Sequence, residues 1–252
     1  MNLTPMVKQL LIINVIFYIG AQIVGAVSYD LLALYYFESP AFQPWQPLTH
    51  LFMHAALPNL THILFNMFAL FSFGSALEHF WGGRKFLFFY ISCGLGAALL
   101  HSFVNYLQVQ SGVDALLNAG MPQAEINLLL QEGKYNTEIL SAVPMSKLQE
   151  MFMAYNVPAV GASGAIYGLL VAFAFMFPNA ELMLLFIPIP IKAKYFVSVL
   201  LLIDLYLGLK GGSLFGSGGT GVAHFAHLGG AMLGFLMMWY WRKNSFNDNR
   251  WD

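Results

Sequence analysis

Apolar residues in this chain gather into long runs and polar residues fall mostly between them. The runs extend roughly from Val7 to Val27, Asn59 to Phe80, Phe86 to Leu107, Val160 to Phe177, Tyr195 to Leu209 and Gly221 to Tyr240. Each is near the length a helix needs to cross hydrocarbon. Lipid offers backbone N–H and C=O groups no partners, so such runs must satisfy themselves as helices. The pattern predicts six membrane spans. The first run has no clear small-x-small cleavage signal and reads as a retained span. Between the third and fourth runs, from Gln108 to Pro158, the pattern turns soluble. There Ala115-Leu116-Leu117, Ile126 to Leu130 and Leu148 to Met153 give short apolar faces, separated by Gly120, Gly133 and Pro144. These predict short extramembrane helices in an outer insert, residues 108–158. Tyr29 to Pro58 mixes Tyr35, Tyr36, Phe37, Phe42 and Trp45 with Pro40, Pro44 and Pro47. That composition suits a loop partly embedded in the interface, the alternative being a simple connector. The glycine-rich stretch from Gly211 to Gly221 leads into the last run and reads as a mobile flap.

Composition narrows the class. With 58% hydrophobic and 9% charged residues over 252, there is too little polar surface to cover a soluble globule. The fold class expected is an all-α polytopic membrane protein forming a single domain over residues 1–252, with the lipid bilayer as its surroundings. A net charge of −1 supplies no basic field for phosphates, which argues against a nucleic-acid partner. The single cysteine, Cys93, excludes an intrachain disulfide and reads as a small core residue. Lys8, Arg84, Lys85, Lys192, Lys194, Arg242, Lys243 and Arg250 all fall on one side of the predicted spans, against Lys134, Lys147 and Lys210 on the other. Both termini are therefore expected to be cytoplasmic. No Arg-rich leader precedes the first run, which points to the plasma membrane of a bacterium.

The candidate chemistry lies near the outer ends of three runs. Ser163 and Tyr167 are four apart and share a helix face, beside a groove formed by Gly164 and Gly168. His227, Gly230 and Gly234 share a face of the last run. Both runs enter from the outer side, so Ser163 and His227 reach similar depth. Glycine contacts then allow the two helices to approach closely enough for a nucleophile and its base. The alternative for each is ordinary small-residue packing. In the second run His62 and Asn66 share a face near the same end. The Asn66 amide, with the Ser163 backbone N–H, would serve a developing oxyanion. The alternative makes Asn66 an interhelix hydrogen bond and His62 a cap.

On these residues the chain resembles the rhomboid intramembrane serine proteases. The resemblance is carried by Gly161-Ala162-Ser163-Gly164, by His62 to Asn66, and by Ala226, His227, Gly230 and Gly234. It implies a six-helix bundle that cleaves transmembrane segments of membrane proteins without a cofactor. Ser163 would be the nucleophile and His227 the base, with no third carboxylate member. His62, Asn66 and the Ser163 amide would stabilise the oxyanion, and Tyr167 would stack on the catalytic histidine. Gly161 supports this arrangement as part of the serine motif. Where the family's outer loop often carries Trp-Arg, this chain has Trp45-Gln46. The insert from about Gln108 to Pro158 is longer than in the simplest members.

The remaining polar residues support less. His50, His54 and His224 suggest metal binding, but no acidic residue completes a recognisable ligand set, and no metal is expected. Asp204, in the fifth run, is open to reading as a triad member, with a loop or interhelix hydrogen bond preferred. His224 competes with His227 for the base role, and the glycine register behind His227 decides against it. Glu78 and His79 read as helix-end contacts. An inactive rhomboid-like protein that binds membrane clients is the main functional alternative. A transporter would require an inverted repeat, and none is visible.

Overall fold

Pro5 opens the first helix, α1 (Pro5–Val24), of the computed structural model. Proline is suited to this position, because the N–H it lacks would have no intrahelical partner. The other free N–H groups are capped from a distant part of the chain. Buried Glu78 accepts from the Met6 and Val7 N–H groups, each at 2.8 Å, and from the Thr4 hydroxyl. The helix end that Glu78 serves is thus that of α1, where a carboxylate also complements the helix dipole. Glu78→Ala is expected to destabilise the protein by about 1–3 kcal/mol, the cost of leaving such donors unsatisfied. Thermal unfolding in detergent checks this.

The structure describes residues 2–184, 187–210 and 222–244. The predicted flap from Gly211 to Gly221 and Arg250 lie outside them. After α1 come the short helices α2 (Ala26–Leu32) and α3 (Gln46–Thr49), then α4 (Leu60–Ala69), which continues through a π-helical turn at Leu70–Gly74 into α5 (Ser75–Trp81). A 36-residue helix, α6 (Gly83–Asn118), precedes α7 (Gln123–Glu132), α8 (Met145–Asn156) and α9 (Ser163–Met176). Strands β1 (Glu181–Leu184) and β2 (Ile187–Lys192) lead to α10 (Ala193–Lys210) and α11 (Val222–Asn244). Among the described residues, three helical stretches, Pro5–Val24, Leu60–Trp81 and Gly83–Asn118, are long and apolar enough to cross a membrane, and Ser163–Met176 is a shorter apolar helix. Helix α10 is 18 residues long and carries Lys194, Asp204 and Lys210.

Two features depart from the pattern. α6 runs unbroken to Asn118, so the first part of the predicted insert, Ala115-Leu116-Leu117 included, extends this helix. The expected all-α fold also gains a two-stranded antiparallel hairpin, β1 with β2. Its second strand reads Ile187-Pro188-Ile189-Pro190-Ile191. Alternate prolines bar a helix there, and they are tolerated in a strand that needs few of its N–H groups.

Helix α9 is the centre of the bundle, with Gly164 to Ile166 and Gly168 to Ala172 all buried. α6 and α11 pack against it through glycine. A Cβ at Gly230 would sit 1.9 Å from the Gly164 carbonyl oxygen, and one at Gly168 would sit 2.4 Å from Cys93 Sγ. Backbones this close require residues without side chains. The outward surface is apolar: Ile16, Ile23, Leu64, Leu99, Leu202 and Leu209 are all exposed. Buried positions instead include Asn14, Asn66, His101, Asn105, Asp204 and His224. Polar residues inside an apolar exterior are the arrangement a bilayer demands.

A second hydrophobic cluster lies outside this core. Val109, Leu116, Ile126, Leu129, Leu148 and Met151 pack from the end of α6, α7 and α8, with Tyr36 joining from the first loop. The Tyr155 hydroxyl donates to the Glu38 carbonyl at 3.1 Å and ties the two segments together. The loop is in turn bonded to the chain entering α9. Leu34 and Ala159 exchange backbone hydrogen bonds of 2.9 and 2.8 Å, and Gly161 N–H donates to the His50 carbonyl at 2.9 Å. These bonds fix the approach to Ser163.

Candidate active site

Ser163 is the first residue of α9, where the small side chains of Gly161, Ala162 and Gly164 leave room for other groups to approach. The first bond of the helix runs from Ile166 N–H to the Ala162 carbonyl, at 3.0 Å. The N–H groups of Ser163, Gly164 and Ala165 therefore lack intrahelical acceptors and form the positive end of the helix dipole. From α11, His227 brings Nε2 to 2.9 Å from Ser163 Oγ, within the range for direct proton transfer. One turn along α9, Tyr167 stacks on His227 with ring centroids 4.1 Å apart and planes 10° from parallel. On the opposite edge, His227 Nδ1 lies 3.3 Å from Asp204 Oδ1.

Gly161 forms the other wall. Its φ of +125° lies in a region that favours glycine. A side chain there would begin 3.0 Å from His62 Nε2 and 3.5 Å from Ser163 Oγ. The missing methyl group thus leaves a small volume between the serine oxygen and a histidine nitrogen. His62 Nδ1 accepts the Ala55 backbone N–H at 3.1 Å. In a neutral ring this puts the proton on Nε2, the atom that faces this volume.

Residues 41–244 match the family model for the Rhomboid domain. This chain belongs to the rhomboid family. It is 36% identical over 87 residues to the Saccharomyces cerevisiae protein named Rhomboid protein 1, mitochondrial, covering 34% of this chain and 23% of that one. It is 28% identical over 224 residues to an uncharacterized mitochondrial rhomboid protein of Schizosaccharomyces pombe, covering 80% of this chain and 52% of that one. The chain thus matches about half or less of the length of these relatives.

Five of the residues named from this rhomboid's sequence, Ser163, His227, Tyr167, Gly161 and His62, converge on one point. Asn66 stands one turn below His62, and its amide nitrogen donates to the His62 carbonyl at 2.7 Å. That bond lies within one helix, where the sequence alternative supposed one between helices. One N–H of the amide is left for another acceptor. His224 is not at Ser163. It contacts Asp204 Oδ1 directly through Nδ1.

Asp204 makes the interhelix hydrogen bond that the sequence favoured; its partners, which the sequence missed, are His227 itself and His224. The side chain is almost fully buried, and the Tyr167 hydroxyl faces the same carboxylate. The signal available was a single acidic residue inside an apolar run. Gln46 was also missed. Completely buried, it donates to the Asp30 and Ala41 carbonyls at 3.0 and 2.9 Å and accepts from Tyr35 N–H at 3.2 Å. A neutral amide here holds the first loop together.

Of the histidines considered for a metal, His50 and His224 make other contacts. His50 Nδ1 donates to the Gln46 carbonyl at 3.0 Å. The chain leaves helical geometry at Met53, so the i, i+4 face that His50 and His54 would have shared is not formed. Burial pushes His50 down to about 4 and His54 down to about 3, so both rings are neutral at ordinary pH. Among the described residues, one acid-and-histidine group has ligand atoms within 4.8 Å of one another: Asp204, His224 and His227.

Proposed function

We propose that this rhomboid is a serine endopeptidase that cuts transmembrane segments of other membrane proteins, with Ser163 as nucleophile and His227 as general base. The 2.9 Å contact between Ser163 Oγ and His227 Nε2 carries this reading. A hydroxyl and an imidazole are costly to hold inside an apolar bundle, and their alignment is what acyl transfer needs.

In this mechanism His227 takes the Ser163 proton as Oγ bonds to the scissile carbonyl carbon, and the π electron pair moves onto the carbonyl oxygen. The oxyanion occupies the volume above Gly161, facing His62 Nε2–H and the free N–H groups at the start of α9, with the remaining Asn66 N–H as a further donor. When the tetrahedral species collapses, the C–N bond breaks and the imidazolium gives its proton to the leaving amine. Water then repeats the sequence on the acyl-enzyme. No metal or cofactor enters any step.

The domain is proposed to span residues 1–252 with six membrane-crossing helices and cytoplasmic termini, and with the 108–158 insert on the outer side. Substrates enter laterally beside α10, whose outer face of Val199, Leu202, Tyr206 and Leu209 is exposed. They must unwind locally, because helix carbonyls are already bonded and shielded. A bacterial plasma membrane is the proposed location.

The test is fluorophosphonate labelling of the purified protein in detergent, followed by cleavage of a model transmembrane substrate. Labelling and cleavage are both expected. A folded protein that neither labels nor cuts would support the reading of an inactive binder of membrane clients. Both rates are expected to survive treatment with EDTA, whereas loss that zinc restores would give the Asp204–His224–His227 group a metal role.

A further inference from the structure

We infer that Asp204 is a positioning residue for His227, making a serine–histidine–aspartate relay, and that His224 is the clamp that holds Asp204 in place. The inference deepens the protease reading above and rests on it.

Asp204, on α10, is 1% exposed, and its Oδ1 faces two imidazoles one turn apart on α11. A carboxylate at such a position in an apolar bundle requires compensation. His224 Nδ1 makes the closer contact, so it is the anchor. His227 Nδ1, at 3.3 Å, makes the looser one. Only a hydrogen-bond donor at Nδ1 suits a carboxylate oxygen, which fixes the resting tautomer of His227. The proton sits on Nδ1, and the Nε2 lone pair is left for the Ser163 O–H at 2.9 Å. Stacking on Tyr167 holds the ring plane but cannot choose between tautomers.

The same carboxylate acts when the proton moves. As Ser163 passes its proton to Nε2, the ring becomes an imidazolium that retains Nδ1–H. Its new positive charge then lies against Asp204. In a low-dielectric site that pairing offsets much of the cost of creating the charge. The 3.3 Å separation shortens as the ring charges, as catalytic hydrogen bonds commonly do in the reacting complex. The other titratable groups at this point are His62, which interacts electrostatically with His227, and Tyr167, which faces Asp204. Neither can accept the Nδ1 proton, because His62 offers its Nε2–H toward Gly161 and Tyr167 lies flat on the ring.

Asp204→Asn tests this. An Asn amide can donate to Nδ1 and so stabilise the wrong tautomer. The expected result is a fall of roughly 10²–10⁴-fold in fluorophosphonate labelling rate and in kcat, with KM unchanged and a displaced pH profile of labelling. His224→Gln should lower kcat by a smaller factor, because the Asp204–His227 pair survives with a looser anchor. Wild-type rate and pH profile in folded Asp204→Asn would overturn the inference. If that variant does not fold, the ¹⁵N-histidine spectrum of the unmutated protein decides, with resonances assigned through His224→Gln and His227→Ala. His227 protonated at Nδ1 supports the relay, and His227 protonated at Nε2 overturns it. Failure of the unmutated protein to label or cut would instead remove the protease reading itself.

Discussion

Ser163→Ala and His227→Ala are each expected to lower cleavage of a transmembrane substrate by roughly 10⁴- to 10⁶-fold while leaving the protein folded. The two losses should be nearly equal, and the double variant should be little worse than either single one. Residues that act in one proton transfer fail together, since an alcohol without its base is a poor nucleophile and a base without the alcohol has nothing to activate. Ser163 is only partly buried at the end of α9 and makes no other side-chain hydrogen bond among the described residues, so losing its hydroxyl should change thermal stability little. Cleavage kinetics with matched unfolding curves check both points. Additive losses would mean that the two residues work in separate steps.

Gly161→Ala is expected to reduce activity by at least the roughly 10²–10³-fold that follows removal of one oxyanion donor. It acts twice on the same place. The methyl group would sit 3.0 Å from His62 Nε2, in the volume proposed for the oxyanion, and the backbone φ of +125° is one that a residue with a Cβ rarely adopts. Relaxing that strain would also shift the Gly161 N–H away from the His50 carbonyl, and Ser163 with it. His62→Ala isolates the donor, because it empties the same volume without straining the backbone. Comparable losses in the two variants would assign the effect to the oxyanion pocket. A loss confined to Gly161→Ala would assign it to the position of Ser163.

Ser163, His227 and the loop around them draw on different parts of the chain. Ser163 and Tyr167 come from α9 and His227 from α11, and the two helices are held in backbone contact at Gly164 and Gly230. The hydrogen bonds from Gly161 to His50 and between Leu34 and Ala159 connect the serine to the first loop, which Gln46 braces from within. The outer insert reaches the same loop through Tyr36 and Tyr155. Changes far from Ser163 in sequence therefore bear on its position.

Sequence alone determined the helical, inside-out character of the protein, because apolar runs in lipid have no other way to satisfy their backbones. It also determined the residues that meet at the serine. Ser163 and Tyr167 lie four apart on one helix, and small residues surround both Ser163 and His227. The glycine register favoured His227 over His224 as the partner of Ser163, and the structure places His227 there. Tertiary structure decided where Asp204 falls: the rotation and depth of α10 set it close to His224 and within reach of His227. The space above Gly161 is likewise absent from the sequence, since it depends on a backbone angle and on how His62 is held by the Ala55 N–H. Hydrophobic periodicity records which residues avoid lipid. The distances that bring the polar groups around Ser163 together arise only when the helices pack.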